Sequence, residues 1–107
     1  MNFFEKQLED GIFQICNCDS CDLTLWPPKE ICHKCNGKTS WHESSKTGII
    51  IEFSKKDSKF FGLVEIDKGI RILGEIVSSK TPKIGQQVGM NVSFENRPSY
   101  SFIVKNN

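Results

Sequence analysis

No apolar run in this chain of 107 residues approaches the roughly 18 that a helix needs to cross a bilayer. The first ten residues, MNFFEKQLED, are acidic and hold no apolar stretch of about 7, so a secretory signal is not expected. Both absences point to the cytoplasm and to no membrane partner. No repeat or low-complexity tract appears, and 37% hydrophobic with 25% charged residues excludes wholesale disorder, a collagen-like chain and a coiled coil. There is no G-x-S-x-G and no Walker loop, and the acids and the two histidines are scattered, so no catalytic constellation forms and the chain is not expected to be an enzyme. Net charge is scarce too, at +1. The balance hides a division: residues 1–45 carry 4 Lys and Arg against 7 Asp and Glu, residues 46–107 carry 10 against 6. The basic second part suits nucleic acid, an anionic cofactor or an acidic protein surface, although it is weaker than the stripe of a dedicated nucleic-acid binder.

What the chain does have is five cysteines, all within CNCDSCDLTLWPPKEICHKC, residues 16–35. Cys18-x-x-Cys21 and Cys32-x-x-Cys35 are two tight turns, each presenting two sulfurs, joined by a short hairpin-length spacer; together they complete a tetrahedron. A reducing compartment disfavours disulfides, and a thioredoxin-like site would use a single C-x-x-C in a βαβ setting that is missing here. Zinc is the expected metal, and iron in a rubredoxin-like site has the same geometry. Four protein ligands leave no open position, so the metal is structural. A segment of about 30 residues has too little core to fold alone, whereas zinc contributes about 10–16 kcal/mol at such sites. Cys16 is the spare thiol by spacing and is expected to pack as a small apolar residue. His33 and His42 are expected to be solvated or packed rather than ligands.

Before the cysteines, Phe4 and Leu8 share a helical face and Gly11 marks a stop, so a short helix is expected over Asn2–Asp10. Ile12–Ile15 reads as a brief extended piece. Leu23 and Leu25 alternate ahead of Trp26 and the helix-breaking Pro27-Pro28. Beyond Gly48 the period changes to two, predicting strands at Ile49–Lys55, Phe60–Ile66, Ile70–Val77, Gly89–Glu95 and Tyr100–Lys105, with the longest separator between the third and fourth. Five short strands with that rhythm predict an OB-fold barrel. The fold class is thus mainly β, divided as a helical segment (1–11), a rubredoxin-like zinc ribbon (12–45) and a five-stranded OB-fold (46–107).

Trp26 and Trp41 are expected to pack the ribbon against its neighbour. Phe3 and Phe4, on a helix with little of its own to cover, are candidate partner-binding residues. Lys55, Lys56 and Lys59 form a basic loop, read either as solvated or as a landing place for phosphates or an acidic protein. The face of the second and third barrel strands opposite the core offers one aromatic, Phe61, and one cation, Arg71, beside two acids, which disfavours a base-stacking surface.

Phe4 and Leu8, CDSC, PPKEICHKC, Trp41, Gly48, FFGLVEIDKGIRILGEIV, KIGQQVGMNVSF and the closing YSFIV together resemble an archaeal and bacterial family of zinc-ribbon/OB-fold proteins associated with acyl-CoA metabolism, long catalogued as a domain of unknown function. The resemblance runs nearly end to end. It implies a short helix, a ribbon and an OB-fold, with Cys18, Cys21, Cys32 and Cys35 at the metal-ligand positions. It also implies a non-catalytic role beside acetoacetyl-CoA thiolase and hydroxymethylglutaryl-CoA synthase, at the start of the mevalonate pathway, or beside a related thiolase-like enzyme. Acyl-CoA, anionic through its phosphates, would then suit Lys55, Lys56 and Lys59 and an apolar crevice between ribbon and barrel. This chain departs from the family in its extra Cys16, and in Asp22 and Asn36-Gly37 where glycine would follow a knuckle more directly. Two other readings are carried: a single-stranded nucleic-acid-binding module and a free-standing acyl-CoA binder.

Overall fold

The computed structural model describes residues 2–67 and 69–105. Its one helix among them, α1 (Phe3–Glu9), is closed at both ends by its own sequence. Asn2 caps the start: its side chain accepts from the Glu5 N–H at 2.8 Å, and the Glu5 carboxylate accepts from the Asn2 N–H at 3.1 Å, a reciprocal capping box. At the other end Gly11 takes φ +77°. Its N–H donates to Leu8 O at 3.0 Å and the Ile12 N–H donates to Gln7 O at 2.9 Å, the paired bonds of a Schellman stop. These caps fit a seven-residue helix, which is too short to persist without packing. Leu8 supplies that packing and is fully buried.

Three strands follow: β1 (Gln14–Cys18), β2 (Thr24–Leu25) and β3 (Thr39–Glu43), forming an antiparallel sheet in the order β2-β1-β3. Of the expected extended piece Ile12–Ile15, Gln14 and Ile15 open β1, and Ile12 and Phe13 precede it. β3 is not announced by the sequence, because Thr-Ser-Trp-His-Glu has no apolar alternation; its ladder with β1, from Gln14 opposite Glu43 to Cys18 opposite Thr39, draws it into place.

The remaining strands are β4 (Thr47–Lys56), β5 (Lys59–Ile66), β6 (Ile70–Val77), β7 (Gln87–Phe94) and β8 (Pro98–Val104). Every end lies within two residues of the expected one. They close into a barrel in the order β4-β5-β6-β8-β7, with β8 parallel to β6 and β7 sealing against β4. Alternation drives the closure: on β5 and β6, Val64, Ile66, Ile70, Ile72 and Ile76 turn inward and are buried, while their neighbours face out. The β4–β5 turn is Asp57-Ser58 with both φ values positive, the two-residue hairpin geometry that matches strand twist.

One buried cluster spans the junction of the two sheets. Leu8 from α1 and Phe13 and Ile15 from the approach to β1 belong to the same buried cluster as Ile50, Val88, Met90 and Phe102 of the barrel. Phe13 is fully buried, with Trp26 at 5.4 Å, Phe4 at 5.7 Å and Tyr100 at 5.9 Å between ring centroids, all edge-on. The junction itself is tied. Ser44 is buried, its N–H donates to Phe13 O at 2.8 Å and its hydroxyl donates to the Asp67 carboxylate in the β5–β6 turn. Ser45 donates to the other Asp67 oxygen at 2.7 Å, and the Lys46 ammonium donates to Gly11 O at 3.0 Å.

Candidate metal centre

The two C-x-x-C turns are built alike. The Cys18 N–H donates to Leu23 O at 2.9 Å and the Cys32 N–H to Gly37 O at 3.0 Å; Asp22 N–H returns to Cys18 O at 3.0 Å and Asn36 N–H to Cys32 O at 2.9 Å. Asp22 and Asn36, the residues after each second cysteine, both take φ +58°. Asn and Asp tolerate this left-handed region better than other side chains, so the departures from glycine keep the knuckle geometry. Gly37 sits close against the sulfurs: a Cβ there would lie 3.1 Å from Cys35 Sγ and 3.3 Å from Cys18 Sγ, tighter than ordinary contact.

These turns bring the sulfurs of Cys18, Cys21, Cys32 and Cys35 within 4.8 Å of one another. Cys18 to Cys35 is 3.3 Å, Cys21 to Cys32 is 3.7 Å and Cys21 to Cys35 is 4.0 Å. A tetrahedron with metal–sulfur bonds of about 2.3 Å has edges of about 3.8 Å, so the four residues fit a tetrahedral thiolate-bound cation. Backbone N–H groups, that of Cys21 first, hold the Cys18 thiol down to about 6. The N–H of Cys35 and then of Lys34 lower Cys32. Cys35, sharing a proton with Cys18, is pushed up to about 12. All four sulfurs ionised in this space would repel, and a divalent cation would balance them.

Cys16 is not one of the four. It is fully buried between Leu25 and Trp41 on the ladder, accepts from the Lys29 N–H at 3.4 Å, and burial pushes its thiol up. His33 and His42 are exposed and stand outside the sulfur group.

The remaining candidate residues do not converge on the sulfur cluster. Phe4 turns inward onto Phe13 and Trp26, whereas Phe3 is 51% exposed and meets Trp41 edge-on at 5.4 Å. Phe3, Trp41 and Pro28 border a shallow hollow of 210 Å³. Lys55, Lys56 and Lys59 sit at the tip of the β4–β5 hairpin, the far end of the ten-residue β4 from the ribbon, with the Lys55 ammonium 5.8 Å from the Phe60 ring centre. A hollow of 230 Å³ beside the junction of ribbon and barrel is lined by Ile15, Asn17, Thr24, His42 and Asp67. A larger hollow of 650 Å³ lies along the β6–β7 loop, where Ser78, Lys80, Lys83 and Ile84 line it. The sequence offered only the pair of lysines in a long loop as a sign of it.

No protein-family model matches the chain. A DUF35 domain-containing scaffold protein of Methanocaldococcus jannaschii is 29% identical over 87 residues, a match covering 70% of this chain and 60% of that protein's length. Among solved structures, the Ltp2-ChsH2(DUF35) aldolase superposes with a TM-score of 0.75 at 18% identity, covering 95% of this chain and 91% of the other. That likeness establishes a shared fold.

Proposed function

We propose that this chain is a non-catalytic scaffold subunit that bridges an acetoacetyl-CoA thiolase and hydroxymethylglutaryl-CoA synthase, or serves a related thiolase-like enzyme, in the cytoplasm. The observation that carries the reading is the match to a protein named as a DUF35 scaffold. The geometry supports it: the sulfur cluster leaves no position for substrate on a bound metal, which we take to be zinc, with iron the alternative. The barrel's strand order, with the last strand between the third and fourth, supports an OB-fold over 46–107, preceded by a zinc ribbon over 12–45 and a helical segment over 1–11. Forming acetoacetyl-CoA from acetyl-CoA is uphill, and a subunit that holds consecutive enzymes together raises the local concentration of the intermediate without doing chemistry. Phe3, supported from behind by Trp41 and with the half-buried Phe4 beside it packed on the core, is the partner-binding residue on the ribbon side. Lys55, Lys56 and Lys59 are one cationic resting place for an acyl-CoA phosphate, and the Lys80–Lys83 hollow is a second.

The test is co-expression of the tagged chain with an acetoacetyl-CoA thiolase and a hydroxymethylglutaryl-CoA synthase, followed by size-exclusion chromatography. A single complex containing both enzymes is expected, and Phe3→Ala weakens it by about 1–2 kcal/mol in calorimetry. Retention of neither enzyme overturns the proposal.

A further inference from the structure

The outer wall of the barrel carries apolar side chains that its own fold does not use. Leu63 on β5 stands opposite Leu73 on β6, and Val77 on β6 stands opposite Ile103 on β8. Phe61 on β5 faces Glu75 on β6 and so lies diagonally between Leu73 and Val77, making the group contiguous. Leu73 is 72% exposed, Val77 and Ile103 47% each and Phe61 41%. Four large apolar residues on one sheet face differ from singly scattered surface hydrophobics and mark an interaction surface. Beside them β4 shifts register between Ile50 and Glu52, and a hollow of 300 Å³ opens there, floored by Gly62 and bordered by Phe53, Phe61, Leu63 and Leu73. It has room for one aliphatic side chain.

The occupant is selected by charge. Glu75 sits in the middle of this group, flanked on the ladder by Phe61 and Ser101, half-buried, and in no ion pair or hydrogen bond among the described residues. Arg71 bonds Glu65 at 3.2 Å instead. Lys59 borders the face only at the hairpin tip, and Lys105 leans over Gly89 of β7. Covering Phe61, Leu73, Val77 and Ile103 strips water from the Glu75 carboxylate, a costly step unless the covering body brings a cation. Glu52 at the edge of the hollow adds negative charge, so nucleic-acid phosphates are repelled.

We infer that the outer face of β5, β6 and β8 is a docking surface for a partner-protein segment that presents aliphatic side chains around a Lys or Arg directed at Glu75. This deepens the scaffold reading and rests on it for the identity of the partner, though not for the chemistry of the face. Its centre at Phe61, Leu73 and Glu75 is separate from the Phe3 side, because α1 packs on β7, which ladders with β8 at the edge of the face but with neither β5 nor β6.

The test uses two designed amphipathic peptides of equal length, one of leucine and lysine, the other of leucine and glutamate, titrated into the full ¹⁵N-labelled, metal-loaded chain. The lysine peptide is expected to shift the amides of Phe61, Leu73, Glu75, Val77 and Ile103, and the glutamate peptide to leave them in place. Glu75→Gln should weaken the lysine peptide about tenfold, and Leu73→Ser at least as much; Leu73 is exposed enough for the fold to survive. Equal response to both peptides, shifts confined to the Phe3 side, or indifference to both substitutions overturns the inference. So does a dimer in sedimentation that Leu73→Ser dissolves, since the occupant is then a second copy. Mapping of the lysine peptide to this face, with neither enzyme retained in co-expression, leaves the inference standing and removes the scaffold reading. Enzymes retained with no peptide response at this face do the reverse.

Discussion

Among the described residues, the ribbon's own buried cluster comprises Cys16, Cys18, Leu25 and Cys32, three of them cysteines, whereas the cluster centred on the barrel holds thirteen residues, all apolar. One chain therefore meets the entropy of folding in two ways. The barrel does so by alternation: each strand turns every second side chain inward, and burial at about 25 cal/mol per Å² does the rest. The ribbon is too small for that and brings four sulfurs together at one point, where a bound cation would replace the missing core. Phe13 connects the two solutions, since it leaves the ribbon side of the chain and is buried in the barrel cluster.

The largest effect should come from removing the metal. Chelation, or Cys18→Ser, should unfold the ribbon, because a zinc contribution of about 10–16 kcal/mol exceeds anything its few apolar contacts supply. Hydrogen exchange would then show protection lost over residues 14–43 and kept over β5 and β6. Cys16→Ser should leave metal stoichiometry at one per chain. Equal loss of metal from Cys16→Ser would erase the distinction between ligand and packed thiol.

Next in size is Phe13→Ala, expected to cost about 3–5 kcal/mol. Chemical denaturation of the metal-loaded protein would register it. The comparison sharpens if both regions lose protection together, since Phe13 belongs to neither alone, and it breaks if only the ribbon responds.

Ser44→Ala should cost about 1–2 kcal/mol by leaving the Asp67 carboxylate with one hydroxyl donor in place of two. A drop in melting temperature without metal loss is the expected signature. The smallest effect is absent at neutral pH. Burial pushes the Tyr100 phenol up to about 12 from an ordinary value of about 10. The folded state thus favours the neutral phenol, its stabilising contribution is complete below about 10, and it is lost as pH rises from about 10 through about 12. Ultraviolet titration of the phenolate should show this late midpoint, with barrel stability declining across the same window.

The legible parts of the sequence were those with a fixed spacing. C-x-x-C repeated at ribbon distance brings four sulfurs together wherever the chain is otherwise held, and period-two alternation marks the barrel strands because each has one dry face. Less legible were features that depend on meeting a distant residue. The capping box in Asn2-Phe-Phe-Glu5 was readable in principle, but the packing of α1 on the barrel was not, since nothing in Phe4 or Leu8 says which surface they cover. β3 carries no pattern and exists by pairing. Asp67 looks like an ordinary turn residue until the fold sets it beside Ser44 and Ser45. Phe3 and Phe4 looked equivalent in the chain, yet one lies half in solvent and the other among Phe13 and Trp26.

The tie between Ser44, Ser45 and Asp67 has a mechanical meaning. Ribbon and barrel are joined by consecutive residues whose hydroxyls are fastened to one carboxylate, with an aromatic plug behind them, so the joint resists torsion as well as extension. A flexible tether of the same length would let two bound bodies sample many separations, and their mutual encounter would be diluted across that volume. Here the chain, 44 Å along its longest axis, is braced at that joint. Bodies seated at Phe3 and at Leu73 would be held at one angle and one distance, and the chain would act as a gauge block, setting how far anything passed between them has to travel.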